Sequence, residues 1–246
     1  MSVKVITPFV FDEEIKEHKN TNWMLSGHYE RDVAGIGCDL MFQKMWKQFP
    51  DDDIFILHAD MTPHHEGWFE EVLSHVEKYP EAGMFGCLLL YPARNNEGEY
   101  YVQCAGGRFS KKIPDHFGSG LILENGTKFK EELELDRGQY DKVREVASTP
   151  VGGCYIRRSF SDKDGEFDPS YEWTYNRDVD YCLRGRKAGE RIYQIPVRLF
   201  HHESRDTKRI RDNNKAQMEA RNLARLQAKW GNSKFYKTLD KEIKNG

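Results

Sequence analysis

Three segments in the first 91 residues predict strands separated by helices. Val3 to Phe9 reads as a strand that ends at a proline, whereas the apolar runs Asp53 to Leu57 and Ala82 to Tyr91 are typical of strands buried on both faces of a sheet. Between them, apolar residues recur at helical spacing over Glu30 to Phe49 and again after Thr62-Pro63, where proline favours a helix start. This strand–helix–strand order implies right-handed crossovers and a mostly parallel sheet.

The periodic positions also indicate which face each helix buries. The first helix would bury Val33, Ile36, Leu40, Met41 and Met45, and the second Trp68, Phe69, Val72, Leu73 and Val76. Ahead of both, Trp23-Met24-Leu25 is a candidate second strand.

The remainder of the chain predicts shorter elements. Residues 92–150 are rich in Gly, Lys and Glu and predict a meander, with β-like pieces at Tyr100 to Cys104 and Gly120 to Leu123. A strand, a helix, a last strand and a C-terminal helix follow, in that order, at Gly153 to Arg157, Asn176 to Ala188, Arg191 to Phe200 and Asp212 to Trp230. The apolar stripe of the C-terminal helix comprises Ala216, Ala220, Leu223, Leu226 and Trp230.

Charge is distributed unevenly along the 246 residues, a length that suits one domain or one domain with a short appendage. Residues 203–246 carry 12 Lys and Arg against 6 Asp and Glu, whereas residues 1–202 carry 25 against 34. A basic tail on an acidic body favours contact with an anionic partner, or is simply a solvated helix face. The acidic body and the lack of an evident stacking platform argue against nucleic acid as the partner.

Five cysteines, at positions 38, 87, 104, 154 and 182, show no C-x-x-C spacing. We therefore expect reduced, mostly buried thiols of an intracellular protein rather than disulfides or a zinc site. No run approaches the roughly 18 apolar residues of a membrane span. The first residues lack the layout of a signal peptide, so we expect a cytoplasmic location.

Two groups of polar residues follow predicted strands of the sheet. His58-Ala59-Asp60 comes directly after the strand 53–57, and His201-His202 follows the last strand. Ligands of open α/β sheets bind outside the carboxyl ends of the strands, where an aspartate and an imidazole can hold Mg²⁺ or Mn²⁺ against a diphosphate. The alternatives are an aspartate that caps the next turn and histidines that are merely structural.

Asp178 and Asp180 lie in the first turn of the helix predicted from Asn176. A carboxylate that faces the crevice there is a candidate general base. Because acidic residues are favoured at helix starts by the helix dipole, a purely structural role is the alternative. Two glycine pairs, Gly106-Gly107 and Gly152-Gly153, allow close approach of backbone to a ligand, or form turns.

In this order the motifs resemble family-2-type glycosyltransferases with the GT-A fold. The segments "FILHADMTP", "EGWFEEVL", "AGMFGCLLLYP", "VQCAGGRF", "VGGCYIRRSF", "GEFDPSYEWTYNRDVDYCLRGRKAGERIYQIP", "RLFHHES" and "RNLARLQAKWG" carry the resemblance, which runs from about residue 53 to residue 231. It implies an α/β, Rossmann-type mixed and mainly parallel sheet flanked by helices, with a C-terminal helix. It also implies a catalytic domain over residues 1–202, with a basic loop and C-terminal helix at 203–246 packed on it.

The resemblance assigns metal and catalytic roles to individual residues. Asp60 matches the last Asp of the family's D-x-D triplet and is implied to bind the metal that bridges the donor diphosphate, with His58 replacing the first Asp. His201 matches the metal-binding histidine, and His202 is the fallback. Asp178 is implied to be the catalytic base, Arg177 replaces the acid before it, and Asp180 orients the helix or the acceptor.

Further residues are expected to contact the two substrates. Donor contacts are expected from Thr7, Pro8, Phe9, Arg31, Asp39, His58, Ala59, Asp60, Gly152 and Gly153, and acceptor contacts from Tyr171 and Trp173. The family has a nucleotide-binding acid at the end of its second strand, and the pattern does not identify that residue here. Trp68 is more typical of a core residue than of a sugar platform.

The implied function is metal-dependent, inverting transfer of a sugar from a nucleotide-diphosphate sugar, with UDP favoured, to a hydroxyl of a glycan or other acceptor. A metal held by Asp60 and His201 would stabilise the leaving diphosphate. The basic loop 203–211 would fold over it or serve as a linker.

Two alternatives stay open. One is a nucleotide-sugar-binding module that has lost catalysis through the changes at His58 and Arg177. The other is a metal-dependent hydrolase that uses His58, His64, His65, His201 and His202.

Overall fold

The computed structural model describes residues 2–13, 15–16, 27–110, 113–117, 119–124, 128–172, 176–202, 215–231 and 233–244. The predicted strand at Trp23-Met24-Leu25, the predicted acceptor contact Trp173 and the basic loop 203–211 lie outside these residues.

The described residues form thirteen strands and six helices. The strands are β1 Val3–Phe9, β2 His28–Arg31, β3 Asp53–Ile56, β4 Met61–Pro63, β5 Ala82–Arg94, β6 Tyr100–Cys104, β7 Gly107–Ser110, β8 Ile113–His116, β9 Ser119–Glu124, β10 Lys128–Leu133, β11 Arg144–Glu145, β12 Cys154–Ile156 and β13 Arg191–His201. The helices are α1 Cys38–Trp46, α2 Trp68–Lys78, α3 Arg158–Asp164, α4 Arg177–Lys187, α5 Lys215–Trp230 and α6 Lys234–Lys244.

Nine of the described strands form one mixed, mostly parallel sheet. Its order is β11-β13-β5-β12-β3-β1-β2, with β4 paired to β13 and β6 paired to β5. β1, β2, β3, β5 and β13 run in one direction, and β12 lies antiparallel between β3 and β5. The carboxyl ends of the five parallel strands therefore meet at one edge, as the sequence predicts.

Helices cover both faces of this sheet. Because alternate strand residues point to opposite sides, each strand contributes residues to two separate clusters. Phe55 and Phe85 pack on one side with the buried residues of α2, including Trp68 at 1% exposure. Ile54 and Met84, their neighbours in sequence, pack on the other side with α1, α3 and α4. The prediction of Trp68 as a core residue is confirmed.

The C-terminal helices α5 and α6 pack against α4. One buried cluster joins Val179 and Leu183 of α4 to Leu226 and Trp230 of α5 and Leu239 of α6. Basic side chains of α5 pair with acids of the body: Arg221 and Arg225 with Glu172, and Lys229 with Asp168 and Asp180. Part of the tail's positive charge is thus neutralised within the chain.

The first helix begins later than predicted, at Cys38 rather than Glu30. Residues 28–31 instead form β2, and the carboxylate of Asp32 then accepts the backbone N–H groups of Ile36 (3.0 Å) and Gly37 (2.9 Å). Gly35 and Gly37 adopt positive φ, which ends any helical continuity. Val33 is 87% exposed as a result, so its predicted burial is wrong.

Two other boundaries also differ from the prediction. Thr62-Pro63 belongs to strand β4, and α2 begins only at Trp68, because Met61–Pro63 pairs antiparallel with β13. In α5 the buried positions include Met218 and Asn222, while Ala220 is exposed. The second C-terminal helix, α6, was not predicted.

Four of the five cysteines, Cys87, Cys104, Cys154 and Cys182, are buried, and none of the five forms a disulfide in the described structure. Among the described residues, no helix is both long enough and apolar enough to cross a membrane.

Candidate functional site

Two parallel strands bring three predicted metal ligands to the carboxyl edge of the sheet. His58 and Asp60 follow β3, and His201 is the last residue of β13. Strand β4 brings the two segments together, because Met61, the residue after Asp60, pairs with His201. The backbone N–H of His202 also donates to the carbonyl of Asp60 (2.9 Å), which ties the two segments together.

The three side chains lie close enough to share one ion. Oδ1 of Asp60 is 3.4 Å from Nε2 of His201 and 4.0 Å from Nδ1 of His58. One ligand atom from each residue lies within 4.8 Å of the other two. In the part of the chain that the structure describes, this is the one such group of His, Cys, Asp or Glu.

The His58 ring packs closely against a phenylalanine and a glycine. Phe42 of α1 stacks on it, with the ring centroids 5.3 Å apart and the planes 14° apart. A Cβ on Gly152 would lie 2.7 Å from Cε1 of His58, so no larger residue fits there without displacing the ring. The backbone of Gly152 therefore approaches the His58 ring closely.

Burial keeps the imidazole of His58 neutral. Loss of solvation lowers the pKa of His58 to about 4, against the opposing charge of Asp60. Nε2 of His58 has no hydrogen-bond partner among the described residues. A neutral imidazole with a spare nitrogen is the form that binds metals.

His201 is oriented by Gln103 of strand β6. The Nδ1–H of His201 donates to Oε1 of Gln103 (2.7 Å), which directs Nε2 towards Asp60. Burial would raise the pKa of Asp60, but the hydrogen bond and charge of His201 outweigh it and lower that pKa to about 2. Metal-binding histidines are typically oriented in this way by an acceptor on the other nitrogen.

These observations fit a divalent cation. A neutral imidazole, a second imidazole fixed through its far nitrogen and an ionised carboxylate lie within 4.8 Å of one another. Gln103 is not among the predicted site residues, although a polar residue inside the strand Tyr100–Cys104 is a usable signal for one.

The residues expected to contact the nucleotide lie at the ends of β1 and β2. Ile6 pairs with Ile56, so Thr7 to Phe9 extend past the end of β3 towards His58. Thr7 is buried, at 1% exposure. Arg31 is exposed, and its Nε donates to the carbonyl of Val10 (3.1 Å).

Asp32 directly follows β2 and is a residue that the sequence analysis missed. It occupies the place of the acid that the resemblance expects at the end of the second strand. Both of its carboxylate oxygens accept backbone N–H groups of residues 36 and 37. Because residues 30–49 were predicted as one helix, Asp32 was not recognised as a residue that follows a strand.

Asp178 lies partly buried in the first turn of α4, and its Oδ1 accepts the N–H of Val179 (2.8 Å). Burial raises the pKa of Asp178 to about 6, against hydrogen bonds and the charge of Arg177 that lower it. Burial raises the pKa of Cys104 to about 12, with a contribution from the charge of Asp178.

Asp180, by contrast, is fully buried and ties α4 to α5. Its carboxylate accepts Nε1–H of Trp230 (2.7 Å) and pairs with Lys229 (2.9 Å) and Arg184 (3.2 Å). Tyr171, 2% exposed, lies in the same cluster, with its hydroxyl 3.4 Å from Oδ1 of Asp180. These contacts join the start of α4 to α5, and both Asp180 and Tyr171 are buried within them.

The remaining predicted residues have the following surroundings. Ala59 stands between His58 and Asp60 in the sequence, and Gly153 has a φ of 73° and packs against Leu89 and Leu199. Asp39 is buried beside Arg177. His64, His65 and His202, which a histidine-rich hydrolase would use, are not members of the described group of three.

A comparison with one solved structure agrees with this architecture. The crystal structure of GalNAc-T7 with UDP, GalNAc and Mn²⁺ superposes with a TM-score of 0.59 over 98% of this chain, at 12% sequence identity. The chain spans only 49% of that protein's length. A197 from STIV matches 80% of this chain and 82% of its own, with a TM-score of 0.42 and 13% identity. No protein-family model and no curated protein sequence matches the chain.

At these identities the likeness to GalNAc-T7 shows the fold. The chain has a GT-A-like α/β fold with a C-terminal helical appendage, as the sequence predicts.

Proposed function

We propose that this protein is a metal-dependent glycosyltransferase of the family-2 type, which moves a sugar from a nucleotide-diphosphate sugar to a hydroxyl of a glycan or other acceptor. The observation that carries the proposal is the cluster of His58, Asp60 and His201 at the carboxyl edge of a GT-A-like sheet. GalNAc-T7, whose structure resembles this fold, was crystallised with UDP, GalNAc and Mn²⁺, which supports a nucleotide sugar and a divalent cation as the ligands here.

Within this proposal, the cluster is the metal site. A divalent cation there would neutralise negative charge on the leaving diphosphate. Two imidazole nitrogens and one carboxylate oxygen favour Mn²⁺ over Mg²⁺, because Mg²⁺ prefers oxygen ligands. Gln103 orients His201, and Phe42 and Gly152 fix the His58 ring.

Asp178 is the proposed general base. Its raised pKa, about 6, lies near neutral pH, where a base is both ionised and able to accept a proton. It would take the proton of the acceptor hydroxyl while that oxygen attacks the far face of the anomeric carbon. The product would then have inverted anomeric configuration, which proton NMR of the product measures.

The donor nucleotide is proposed to be UDP, bound beside Thr7 to Phe9 at the end of β1. Asp32 braces the loop after β2 at the same edge, and contacts from Arg31 and Asp39 remain predictions. The proposed catalytic domain spans residues 1–202, and residues 203–246 form its appendage. The free thiols favour a cytoplasmic location.

A thermal-shift measurement tests the shared metal and nucleotide site. UDP should raise the melting temperature much more with Mn²⁺ than with EDTA, because binding to the native state adds stability by mass action. Equal shifts in the two conditions would contradict a metal that bridges the diphosphate.

A matched pair of variants makes this test specific. Asp60→Asn should abolish the Mn²⁺-dependent part of the shift, since it removes the ionised ligand. Asp141→Asn, which alters an exposed acid that pairs with Arg198 and is not a member of the cluster, should keep it. Loss of the Mn²⁺ effect in both variants would indicate general destabilisation instead.

A further inference from the structure

The C-terminal helix α5 contacts the segment that precedes the proposed base. Asn222, in the middle of α5, is 0% exposed. Its side-chain amide forms two hydrogen bonds with the backbone of Glu172: the N–H of Glu172 donates to Oδ1 (2.9 Å), and Nδ2 donates to the carbonyl oxygen of Glu172 (2.7 Å). One side chain therefore satisfies both backbone polar groups of a residue 50 positions away in the sequence.

A buried asparagine inside a helix contributes little to the helix itself. Asparagine is a poor helix former, and a buried amide is tolerated only where it finds hydrogen-bond partners. The carboxylate of Glu172 also pairs with Arg221 (2.6 Å) and Arg225 (3.1 Å), but these side chains are 35–48% exposed, and exposed ion pairs add little stability. The amide of Asn222 is therefore the main contact that fixes Glu172 on α5.

The residue before Glu172 is bonded to the start of α4. The carbonyl oxygen of Tyr171 accepts a hydrogen bond from Nη2 of Arg177, the first residue of α4, which is 2% exposed. The hydroxyl of Tyr171 lies 3.4 Å from Oδ1 of Asp180 in the same helical turn. The segment that α5 fixes at Glu172 is thus tied, one residue earlier, to the turn that carries Asp178.

The end of α5 binds the other side of this turn. Nε1–H of Trp230, the last residue of α5, donates to Oδ1 of Asp180 (2.7 Å), and Nζ of Lys229 lies 2.9 Å from Oδ2. Asp180 is 0% exposed and Trp230 is 4% exposed. α5 therefore holds the chain on both sides of Asp178, at Glu172 through its middle and at Asp180 through its end.

The metal cluster is supported by other elements. Gln103 of β6 orients His201, and Phe42 of α1 packs on His58. A change in the middle of α5 should therefore reach the turn with Asp178 and spare metal binding.

We propose that Asn222 is a positioning residue for the base: it holds the segment before α4 on α5 and thereby fixes where Asp178 stands. The C-terminal helix is then a working part of the catalytic unit. The inference rests on the proposed function in calling Asp178 a base, whereas the hold of Asn222 on Glu172 does not depend on catalysis.

Hydrogen exchange followed by mass spectrometry tests this hold on the whole protein, in EDTA and without nucleotide. Asn222→Leu has nearly the same size but offers no hydrogen bond, so the amide of Glu172 loses its acceptor. We expect peptides that contain Glu172 to exchange about tenfold faster or more, because two buried hydrogen bonds no longer oppose local opening. Asn222→Asp keeps an oxygen acceptor for that amide and should stay within about threefold of the wild type.

Leu239→Ala is the control for general loosening of the C-terminal helices. Leu239 of α6 is 0% exposed in the same cluster as Leu226 and Trp230, and the substitution leaves the amide of Asn222 in place. Its peptides around Glu172 should exchange as in the wild type at a temperature well below the melting of either variant. Should Asn222→Leu fail to fold, Asn222→Ala removes the same amide without added bulk, and the same increase is expected.

The kinetics of transfer test the consequence for the base. Asn222→Leu should lower kcat by about 10–100-fold, because a small misplacement of a catalytic group has effects of that size. The KM for the donor and the affinity for Mn²⁺ should change less than about threefold. Asn222→Asp should recover part of the lost kcat, and Leu239→Ala should keep kcat within a few-fold of the wild type.

The outcomes separate the inference from the proposed function. Unchanged exchange around Glu172 in Asn222→Leu, or an equal increase in Leu239→Ala, would overturn the hold of Asn222. Faster exchange with an unchanged kcat would overturn its role in positioning the base. A wild type that transfers no sugar, with the expected exchange pattern, would refute the proposed function and leave the hold of α5 on this segment intact.

Discussion

Asp178→Asn is expected to remove activity and to stabilise the folded protein at neutral and alkaline pH. The amide cannot accept a proton from the acceptor hydroxyl, and the loss of a general base costs about 10²–10⁴-fold in rate. The same amide stays uncharged in a partly buried position where ionisation is unfavourable. A group that serves catalysis alone should behave in this way.

The stability gain has a calculable ceiling. The pKa of Asp178 rises from its usual 3.8 to about 6 in the folded state, and one pKa unit corresponds to about 1.36 kcal/mol, so the ceiling is about 3 kcal/mol. Because the side chain is partly exposed to solvent, we expect about 1–2 kcal/mol. For a chain of this size that is a melting-temperature increase of roughly 2–8 °C.

The sign of this effect depends on pH. Below pH 3.8 the carboxyl group is protonated in both folded and unfolded protein, so the variant has no advantage. Between pH 3.8 and about 6 the unfolded protein ionises this carboxyl group whereas the folded protein keeps it protonated, so the wild type loses stability relative to the variant, and the loss levels off above about 6. The gain should therefore be small at pH 4 and complete at pH 8.

Urea unfolding at pH 4, 6 and 8 in EDTA measures the effect, and Asp180→Asn is the matched control. The buried carboxylate of Asp180 is paired with Lys229 and Arg184, so neutralising it should lower stability at pH 8. A gain in Asp178→Asn that does not change with pH, or a loss of stability at pH 8, would refute the claim that burial makes ionisation of Asp178 unfavourable.

Three further substitutions test the surroundings of the cluster and of α4. Gly152→Ala should weaken Mn²⁺ binding about tenfold or more, because its new Cβ would displace the His58 ring; calorimetric titration measures this. Gln103→Leu should weaken Mn²⁺ binding by about 10–100-fold, since it frees the His201 ring, and Gln103→Glu should retain most of the affinity. Trp230→Phe should lower the free energy of unfolding by about 1.5–3 kcal/mol, because Asp180 loses a buried donor; urea denaturation checks it.

Each of these has an informative contrary result. Gly27→Ala, where the added Cβ would meet only ordinary contacts at 3.4 Å and beyond, is the control for Gly152→Ala. Equal metal affinities in the two glycine variants would remove the packing argument. Full affinity in Gln103→Leu would show that His201 needs no orientation. Unchanged stability in Trp230→Phe would mean that Asp180 finds another donor.

The central sheet and the grouping of His58, Asp60 and His201 were predictable from the order of strands and polar residues along the chain. The runs at 3–9, 53–57 and 82–91 correspond to β1, β3 and β5. In a sheet of mostly parallel strands, polar residues just after a strand must gather at one edge, so His58, Asp60 and His201 could be grouped before their distances were known. Free cysteines likewise followed from spacing alone.

The rest depends on contacts between segments that are distant in sequence. The start of α1 is set by Asp32 and two glycines with positive φ, which override the helical periodicity of Val33 and Ile36. Strand β4 exists only because β13 offers a partner for it. The link between Gln103 and His201 spans 98 residues, and no local pattern encodes it.

The most direct test of the account is the release of UDP from a panel of UDP-sugars in the presence of Mn²⁺, measured by chromatography. We expect at least one donor to release UDP with the wild type, with release falling to background in EDTA and in His201→Ala. An acceptor hydroxyl should increase that rate. A protein that binds UDP with Mn²⁺ but releases none from any donor, with or without acceptor, would contradict a glycosyltransferase and leave a nucleotide-sugar-binding module.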